Sequence, residues 1–126
     1  MGHNQHHEHL LKELVEQLAP VFSQSPQAVY LYLDDMHKAC NKRFSDMLGY
    51  ASPQEWAQNE FPISDILEED QNKVVNAYGA ASRDLKASSV QATCVTKDGK
   101  KLPVSIIMVP QTYRGEVFVL HFISEK

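Results

Sequence analysis

The histidines are the residues in this sequence with the clearest capacity for chemistry. His3, His6, His7 and His9 lie within the first nine residues, where imidazoles at such spacings could hold a transition metal loosely. The same stretch also fits a polar, mobile tail, because no apolar periodicity accompanies the histidines. We expect residues 1–9 to form such a tail and assign no metal site to the chain.

The acidic residues form no recognisable catalytic group. Asp34, Asp35, Asp65 and Asp70 each stand where a turn or a helix cap is expected, and no carboxylate interrupts an apolar strand face. P-loop, Ser-His-Asp, Cys-His and zinc-protease patterns are also missing from the sequence. We therefore expect no catalytic residues and no enzyme activity. A small α+β cone-fold enzyme is the weakest of the alternatives considered below.

Composition excludes several classes of partner. The 12 Lys and Arg residues are outnumbered by 16 Asp and Glu residues, so the net charge of -4 gives no basic face for nucleic acid. No apolar run approaches the roughly 20 residues of a membrane span, and no signal peptide is visible. Two cysteines without a C-x-x-C spacing favour a reducing, cytoplasmic setting. We expect neither a nucleic acid nor a membrane partner.

The residues after the tail are predicted to form a flanking helix and a single core domain. With 126 residues the chain has room for one domain. Residues 8–22 repeat apolar residues at steps of three and four, which predicts an amphipathic helix that Pro20 ends or kinks. We divide the chain into the tail, a flanking helix over residues 10–24 and a core domain over residues 25–126.

Two strands and a capped helix are predicted at the start of the core domain. β-forming residues dominate residues 28–33, and a second short strand is expected over residues 37–40. Asn41 is suited to cap a helix over residues 42–48, and Gly49 is suited to end that helix in a left-handed conformation.

The middle of the chain predicts two further helices. Ser52, Pro53 and Glu55 form a capping-box pattern that starts a short helix. Asp70 is expected to cap a longer helix that runs toward Leu85. Its predicted buried stripe comprises Val74, Val75, Tyr78 and Ala81.

The last third of the sequence changes to the two-residue period of strands. Alternating apolar residues lead to Asp98 and Gly99, a strong hairpin signal, and strands over residues 102–110 and 116–124 follow. Both faces of these strands are apolar. Leu102, Val104, Ile106 and Met108 oppose Ile107 and Val109, and Phe118, Leu120 and Phe122 oppose Val117, Val119 and Ile123.

A sheet that is apolar on both faces needs two covers. The helices within residues 41–85 supply one of them. The amino-terminal helix, a second subunit, or both supply the other, and a helix packed on its own domain is as compatible with the pattern as a dimer seam. The predicted dimer interface comprises Leu11, Leu14, Leu18, Val21, Ile107, Val109, Val117 and Val119.

Three motifs stand out at fixed places among the predicted elements: Asn41 and Phe44 before Leu48-Gly49-Tyr50, Asp70 at the start of the long helix, and Lys97-Asp98-Gly99-Lys100 before Leu102-Pro103-Val104. In these motifs and in the order of its elements, the chain resembles a PAS domain over residues 25–124. Asn41, Gly49, Asp70, Asp98 and Gly99 are assigned structural roles in caps and turns.

The resemblance implies a fold and a class of function. It implies an α+β fold with a five-stranded antiparallel sheet in the order 2-1-5-4-3, short helices on one face and a small apolar pocket beneath them. Members of the family are sensory and interaction modules of histidine kinases, cyclic-dinucleotide enzymes and transcription regulators, and many dimerise through the amino-terminal helix and the exposed sheet face. We expect a homodimer and an output domain or partner protein elsewhere, whether the chain is stand-alone or excised from a longer one.

The sequence departs from the cofactor motifs of the family. Residues 61–70 contain no cysteine for covalent flavin attachment, and residues 70–85 contain no histidine for haem. His121 is expected to point away from the pocket because it lies opposite Phe118, Leu120 and Phe122. Haem and covalent flavin are therefore disfavoured, no cofactor is required, and non-covalent flavin stays open.

The pocket implied by the resemblance is apolar. Its predicted lining comprises Phe44, Leu48, Ile66, Val74, Tyr78, Cys94, Ile106 and Phe122. The alternative is that these side chains simply fill the core, and Tyr78 argues for a ligand because a buried phenol needs a hydrogen-bond partner. We expect a sensory module that binds a small apolar ligand. A flavin or haem sensor of redox state, gas or light is the second hypothesis.

Overall fold

Five strands and five helices form the chain in a computed structural model that describes residues 2–126 and the side chains of residues 6–126. The helices are α1 (Gly2–Gln17), α2 (Ala19–Gln24), α3 (Lys42–Leu48), α4 (Pro53–Ala57) and α5 (Gln71–Ser82). The strands are β1 (Ala28–Asp34), β2 (His37–Cys40), β3 (Ser88–Val95), β4 (Lys101–Tyr113) and β5 (Glu116–Glu125). Two 3-10 turns, Pro62–Asp65 and Glu68–Asp70, connect α4 to α5. Within the described residues, no helix has the length and apolar character needed to cross a membrane.

The sheet has the predicted order. Its antiparallel strands run β2-β1-β5-β4-β3, so β1 and β5 form the central pair, in which Tyr30 lies opposite His121. The β3–β4 hairpin turns through Gly99, whose φ is +90°, and the β4–β5 hairpin turns through Arg114 and Gly115. The α+β fold class expected from the sequence is therefore confirmed.

The amino-terminal helix begins earlier than predicted. α1 starts at Gly2, so residues 2–9 are helical where a mobile tail was expected, while the side chains of residues 1–5, including His3, lie outside the described part. His7 contacts the carboxylates of Asp34 and Glu116 at 3.8 and 3.4 Å. Such tertiary contacts stabilise a helix whose own residues have no apolar period, and a periodicity argument does not detect them.

The predicted break at Pro20 occurs two residues earlier. α1 ends at Gln17, and Pro20 lies in the first turn of α2. Proline is accepted there because the amide hydrogens of a first turn have no partner within the helix. Pro20 thus begins a helix where the sequence predicted that it would end or kink one.

The outer face of the sheet is covered by α1 and α2. Leu10 and Leu14 are 1% and 2% exposed and pack against Phe118 and Leu120 of β5. The sequence left open whether this face is covered by the amino-terminal helix, by a second subunit or by both. In the structure, the chain's own amino-terminal helix covers it. The cover is incomplete at Ile107, which is 47% exposed.

The inner face packs against α3, α4 and α5. This larger cluster comprises Phe44, Leu48, Trp56, Ile66, Val74, Ala81, Ala92, Cys94, Val104, Ile106, Met108, Val119 and Ile123, among others. Both cysteines are buried and free here, and burial raises the pKa of each thiol to about 12. The thiols therefore serve as small core groups, not as nucleophiles.

Helix α5 differs from its predicted form in three respects. It ends at Ser82 instead of Leu85, and Val75, assigned to the buried stripe, is 53% exposed. Asp70 makes no side-chain cap. Its Oδ2 accepts a hydrogen bond of 2.8 Å from the Thr93 amide, so this carboxylate joins the start of α5 to β3.

Gly49 and Gly79 should respond to alanine with opposite signs. Gly49 ends α3 at φ +83°, a left-handed conformation that costs an L-residue about 1 kcal/mol or more. Gly79 is helical, and alanine gains up to about 1 kcal/mol in helix propensity there if the flexible Arg83 guanidinium, which the added Cβ would meet, moves aside. Urea unfolding should show Gly49→Ala less stable and Gly79→Ala more stable than wild type. Equal losses would contradict this account.

Candidate functional site

A cavity of about 220 Å³ lies between the inner face of the sheet and α5. Its walls come from β1, β5, α5 and the turn before α5. The lining residues are Tyr30, Tyr32, Pro62, Ile63, Ile66, Val74, Val75, Tyr78 and His121. Ile63 and Val75 are 37% and 53% exposed, which places them at the mouth. A cavity of this kind, mostly apolar with a few polar groups, is the usual form of a small-molecule site.

An aromatic stack forms the sheet side of the cavity. The rings of Tyr30 and His121 lie nearly parallel, with centroids 3.8 Å apart, and Tyr78 from α5 lies parallel to His121 at 6.3 Å. Tyr30 and His121 are direct cross-strand partners, which explains their close contact. Tyr32 meets Tyr78 edge to face at 5.3 Å. The strand pairing therefore stacks Tyr30 on His121, and α5 adds Tyr78 to this aromatic wall.

His121 is a buried, neutral imidazole. The residue is 2% exposed, and its Nδ1 lies 3.1 Å from the carbonyl oxygen of Val119, within hydrogen-bond distance. Burial lowers the pKa of His121 to about 3, so the ring carries no charge near pH 7. Burial also raises the pKa values of Tyr30 and Tyr78. The wall therefore offers polar groups without charge.

A buried carboxylate lies beside the cavity. Asp65 accepts hydrogen bonds of 2.8 Å from the Tyr50 hydroxyl and 2.9 Å from the Trp56 indole nitrogen. Burial raises its pKa, and these two bonds partly offset that effect. Asp65 also lines a void of only about 20 Å³ next to the cavity. Because both oxygens are engaged, the carboxylate is suited to hold the turn before α5 in place.

Lys38 is a second buried charged residue, and no pattern in the sequence predicts its burial. The residue is 3% exposed, and its ammonium donates to the carbonyl oxygens of Asp35, Ala57 and Asn59. Burial lowers the pKa of Lys38, and nearby carboxylates act in the opposite direction. Two of these bonds join β2 to the last residue of α4 and to Asn59 after it, and the third closes the β1–β2 turn.

Comparison with known proteins rests on structure, because no family model and no curated protein matches this sequence. The PAS domain of a Colwellia psychrerythraea protein is similar with a TM-score of 0.70 and 17% identity, covering 90% of this chain and 97% of that one. The PAS domain of an HTR-like protein from Haloarcula marismortui has a TM-score of 0.66 and 20% identity, covering 91% and 99%. The PAS domain of the fruit-fly ELK potassium channel has a TM-score of 0.66 and 15% identity, covering 88% and 95%.

The chain has the PAS fold. Other PAS structures with similar folds come from a two-component sensor histidine kinase and from a diguanylate cyclase with a PAS/PAC sensor from Marinobacter aquaeolei. The resemblance drawn from Asn41, Asp70 and the turn at Asp98-Gly99 thus led to the correct fold. The side chain of Asn41 caps α3 as predicted, whereas Asp70 has a different partner.

The predicted pocket residues of this PAS fold divide into three groups. Ile66, Val74 and Tyr78 line the cavity. Phe44, Leu48, Cys94 and Ile106 line the 20 Å³ void instead, together with Ile66. The prediction for Phe122 is wrong, because its side chain packs on the outer face of the sheet, in the cluster that contains Leu10 and Leu14.

The placement of His121 is also corrected. It does lie opposite Phe118, Leu120 and Phe122, but the face it occupies is the cavity face, not the one away from the pocket. Tyr30 and Tyr32 were missed as lining residues. Their alternation with the aliphatic Val29, Leu31 and Leu33 was an available signal, because an aromatic face differs from an aliphatic one.

The predicted dimer residues are mostly engaged within the chain. Leu14 is 2% and Val119 0% exposed, and Val119 belongs to the inner-face core. Leu11, Leu18, Val21 and Val109 pack against the outer-face cluster, and Val117 is partly buried. Ile107 alone among the eight is largely exposed.

The cavity sets a limit on cofactors. Pockets for drug-sized ligands span about 300–1,000 Å³, and flavin and haem are at least of that size. The cavity of about 220 Å³ is smaller than either group. His121 faces the cavity, with its ring stacked on Tyr30 and its Nδ1 at the Val119 carbonyl.

Proposed function

We propose that this PAS-fold chain is a sensory and interaction module that binds a small neutral ligand in the aromatic cavity and passes the resulting change to a partner protein or output domain. The cavity beneath α5 is the observation that carries the proposal. The signalling proteins that contain the similar PAS domains support this context. The proposal involves binding without a catalytic step, since both described thiols have raised pKa values and the cavity lining holds no charged group near pH 7.

The size and lining of the cavity define the ligand class. A cavity of roughly 150 Å³ holds one benzene ring, so about 220 Å³ suits a compound of one to two rings. The parallel and more widely separated rings of His121 and Tyr78 favour a planar aromatic compound, because parallel rings stack well. With no charge in the wall to balance an ionic group, a neutral ligand is expected.

A route from the cavity to α1 passes through β5. His121 faces the cavity, while its neighbour Leu120 faces the outer side and packs in the cluster that contains Leu10 and Leu14. A ligand that displaces the His121 ring therefore acts on the strand that supports α1. Such a ligand shifts α1 only if it binds two arrangements of this strand with different affinity.

A blocked cavity mouth should abolish ligand binding. Indole, a neutral bicyclic compound, serves as the probe, and Ile63→Trp fills the mouth from a position that is 37% exposed. A loss of about 1.4 kcal/mol in binding free energy weakens binding roughly tenfold. We expect the dissociation constant for indole, measured by NMR titration, to rise at least tenfold in Ile63→Trp. Phe61→Trp is the matched control, because Phe61 is close in sequence, 66% exposed and outside the lining.

Two outcomes of this titration would contradict the proposal. One is the absence of saturable indole binding to the wild-type chain at millimolar concentration. The other is equal affinity of the wild type and Ile63→Trp, which would place the binding elsewhere on the surface.

A homodimer stays a prediction within this proposal. Ile107, at the uncovered part of the outer face, is the most exposed of the residues predicted to form the interface. Light scattering of the wild type against Ile107→Lys at high micromolar concentration tests it. A monomer in both cases would remove the dimer from the proposal and leave ligand binding unaffected.

A further inference from the structure

Three potential metal ligands meet where α1 passes the β1–β2 turn. His7 comes from α1, Asp34 ends β1 and His37 begins β2, and one donor atom from each lies within 4.8 Å of the other two. His37 is 7% exposed, whereas His7 and Asp34 are partly exposed. The site is therefore accessible to a small ion from solvent but has one buried wall.

The carboxylate of Asp34 is held in position by the turn. Its Oδ1 accepts hydrogen bonds of 2.9 and 2.8 Å from the amides of Met36 and His37, and the same oxygen lies 2.8 Å from Nδ1 of His37. The other oxygen, Oδ2, faces Nδ1 of His7 at 3.8 Å. The carboxylate can thus offer Oδ2 to an ion while Oδ1 keeps its contacts with the turn.

The second nitrogen of His7 has an orienting partner. Its Nε2 lies 3.4 Å from Oε1 of Glu116 at the start of β5. A carboxylate beside the non-ligating nitrogen commonly fixes the orientation of a metal-bound imidazole. This contact turns Nδ1 of His7 toward Asp34.

We propose that His7, Asp34 and His37 bind a divalent transition-metal ion, of which Zn²⁺ is the representative, and that the ion fastens the first turns of α1 to the sheet. Two imidazoles and a carboxylate are a common donor set for such ions. Donors about 2.0–2.2 Å from an ion lie roughly 3–4 Å from one another, so side-chain movements of about 1 Å close the site. The proposal does not depend on a ligand in the cavity.

Zinc titration of the full chain tests the site. Competition with a chromophoric chelator should show one ion bound per chain, and His7→Ala, Asp34→Asn and His37→Ala should each weaken binding about tenfold or more. Asp34→Asn keeps an oxygen for the two turn amides while removing the charge. His9→Ala is the matched control, because His9 lies on the same helix, is 69% exposed in its side chain and pairs with Glu13.

Several results would overturn the proposal. They are no zinc binding by the wild type at 100-fold excess over protein, unchanged affinity in both His7→Ala and Asp34→Asn, or an equal loss in His9→Ala. The last result would mean that the amino-terminal histidines bind the ion by themselves. Circular dichroism identifies any variant that fails to fold. If His37→Ala is unfolded, His7→Ala still decides the test, because His7 lies on the partly exposed side of the site.

The position of the ion gives a second measurement. Hydrogen exchange in the first turns of α1 should slow when Zn²⁺ is added to the wild type and should not change in Asp34→Asn. Slowing of equal size in both proteins would contradict the fastening role.

Discussion

Acidification from pH 6.5 toward pH 3 should destabilise the folded chain, and His121 should be the main cause. The pKa of His121 is about 3 when folded and near 6.5 when unfolded, because burial disfavours the imidazolium. Between these values the unfolded chain binds a proton that the folded chain rejects. The free energy of unfolding therefore falls with pH in this window, by about 4–5 kcal/mol if the whole window is crossed.

Urea unfolding at intervals between pH 7 and pH 4, with a chelator present, measures this effect. His121→Gln should remove most of the decline. His9→Gln, which removes an exposed imidazole, should leave it in place. Asp65 acts in the opposite direction, since its pKa is raised by burial and the folded chain accepts its proton at a higher pH than the unfolded chain. Two results would contradict the burial of a neutral His121 ring. One is a wild-type free energy of unfolding that does not fall as the pH is lowered, and the other is an equal fall in His121→Gln.

Replacing Asn41 with alanine should cost about 3–4 kcal/mol. Its Oδ1 accepts hydrogen bonds of 3.0 Å from the amides of Val29 and Phe44, and its Nδ2 donates a 3.0 Å bond to the carbonyl oxygen of Gln27. The residue is 4% exposed, so alanine leaves three backbone groups without these partners in a dry region. Each unsatisfied buried group costs about 1–3 kcal/mol, and the helix cap is lost as well.

The aspartate variant separates the contributions of Asn41. Asn41→Asp keeps an oxygen for both amides, but its second oxygen repels the Gln27 carbonyl, so we expect a loss that is smaller than that of alanine. Lys42→Ala is the control on the next residue, whose side chain is 79% exposed. Chemical denaturation gives the three free energies of unfolding. A loss in Asn41→Ala no larger than that in Lys42→Ala would show that the three backbone contacts of Asn41 contribute little.

The periodicity of the sequence predicted the elements well because each boundary has a local cause. Asn41, Gly49 and Ser52 act through contacts with residues no more than four positions away, apart from the additional bonds of Asn41 to the β1 segment. A residue with a distant partner is different. Asp70 is a residue type that often caps helices, but its carboxylate instead accepts a hydrogen bond from the Thr93 amide, 23 residues later.

The candidate site was predictable only in part. Both faces of β5 are apolar, so alternation could group Phe118, Leu120 and Phe122 correctly but could not say which cover they meet. A polar residue such as His121 was placed away from the pocket, although a neutral imidazole stacked on Tyr30 is stable there. Only the pairing of β1 with β5, a long-range feature, brings these two rings together.

The central position of β1 has a consequence for how the chain acquires its structure. Residues 28–32 pair with residues 119–123, and α1 packs on Phe118 and Leu120. β1 and α1 are therefore synthesised before the strand that covers their apolar surface. High contact order of this kind slows folding to roughly milliseconds or longer. During synthesis the apolar surfaces of β1 and α1 therefore stay prone to aggregation until the β4–β5 hairpin is complete.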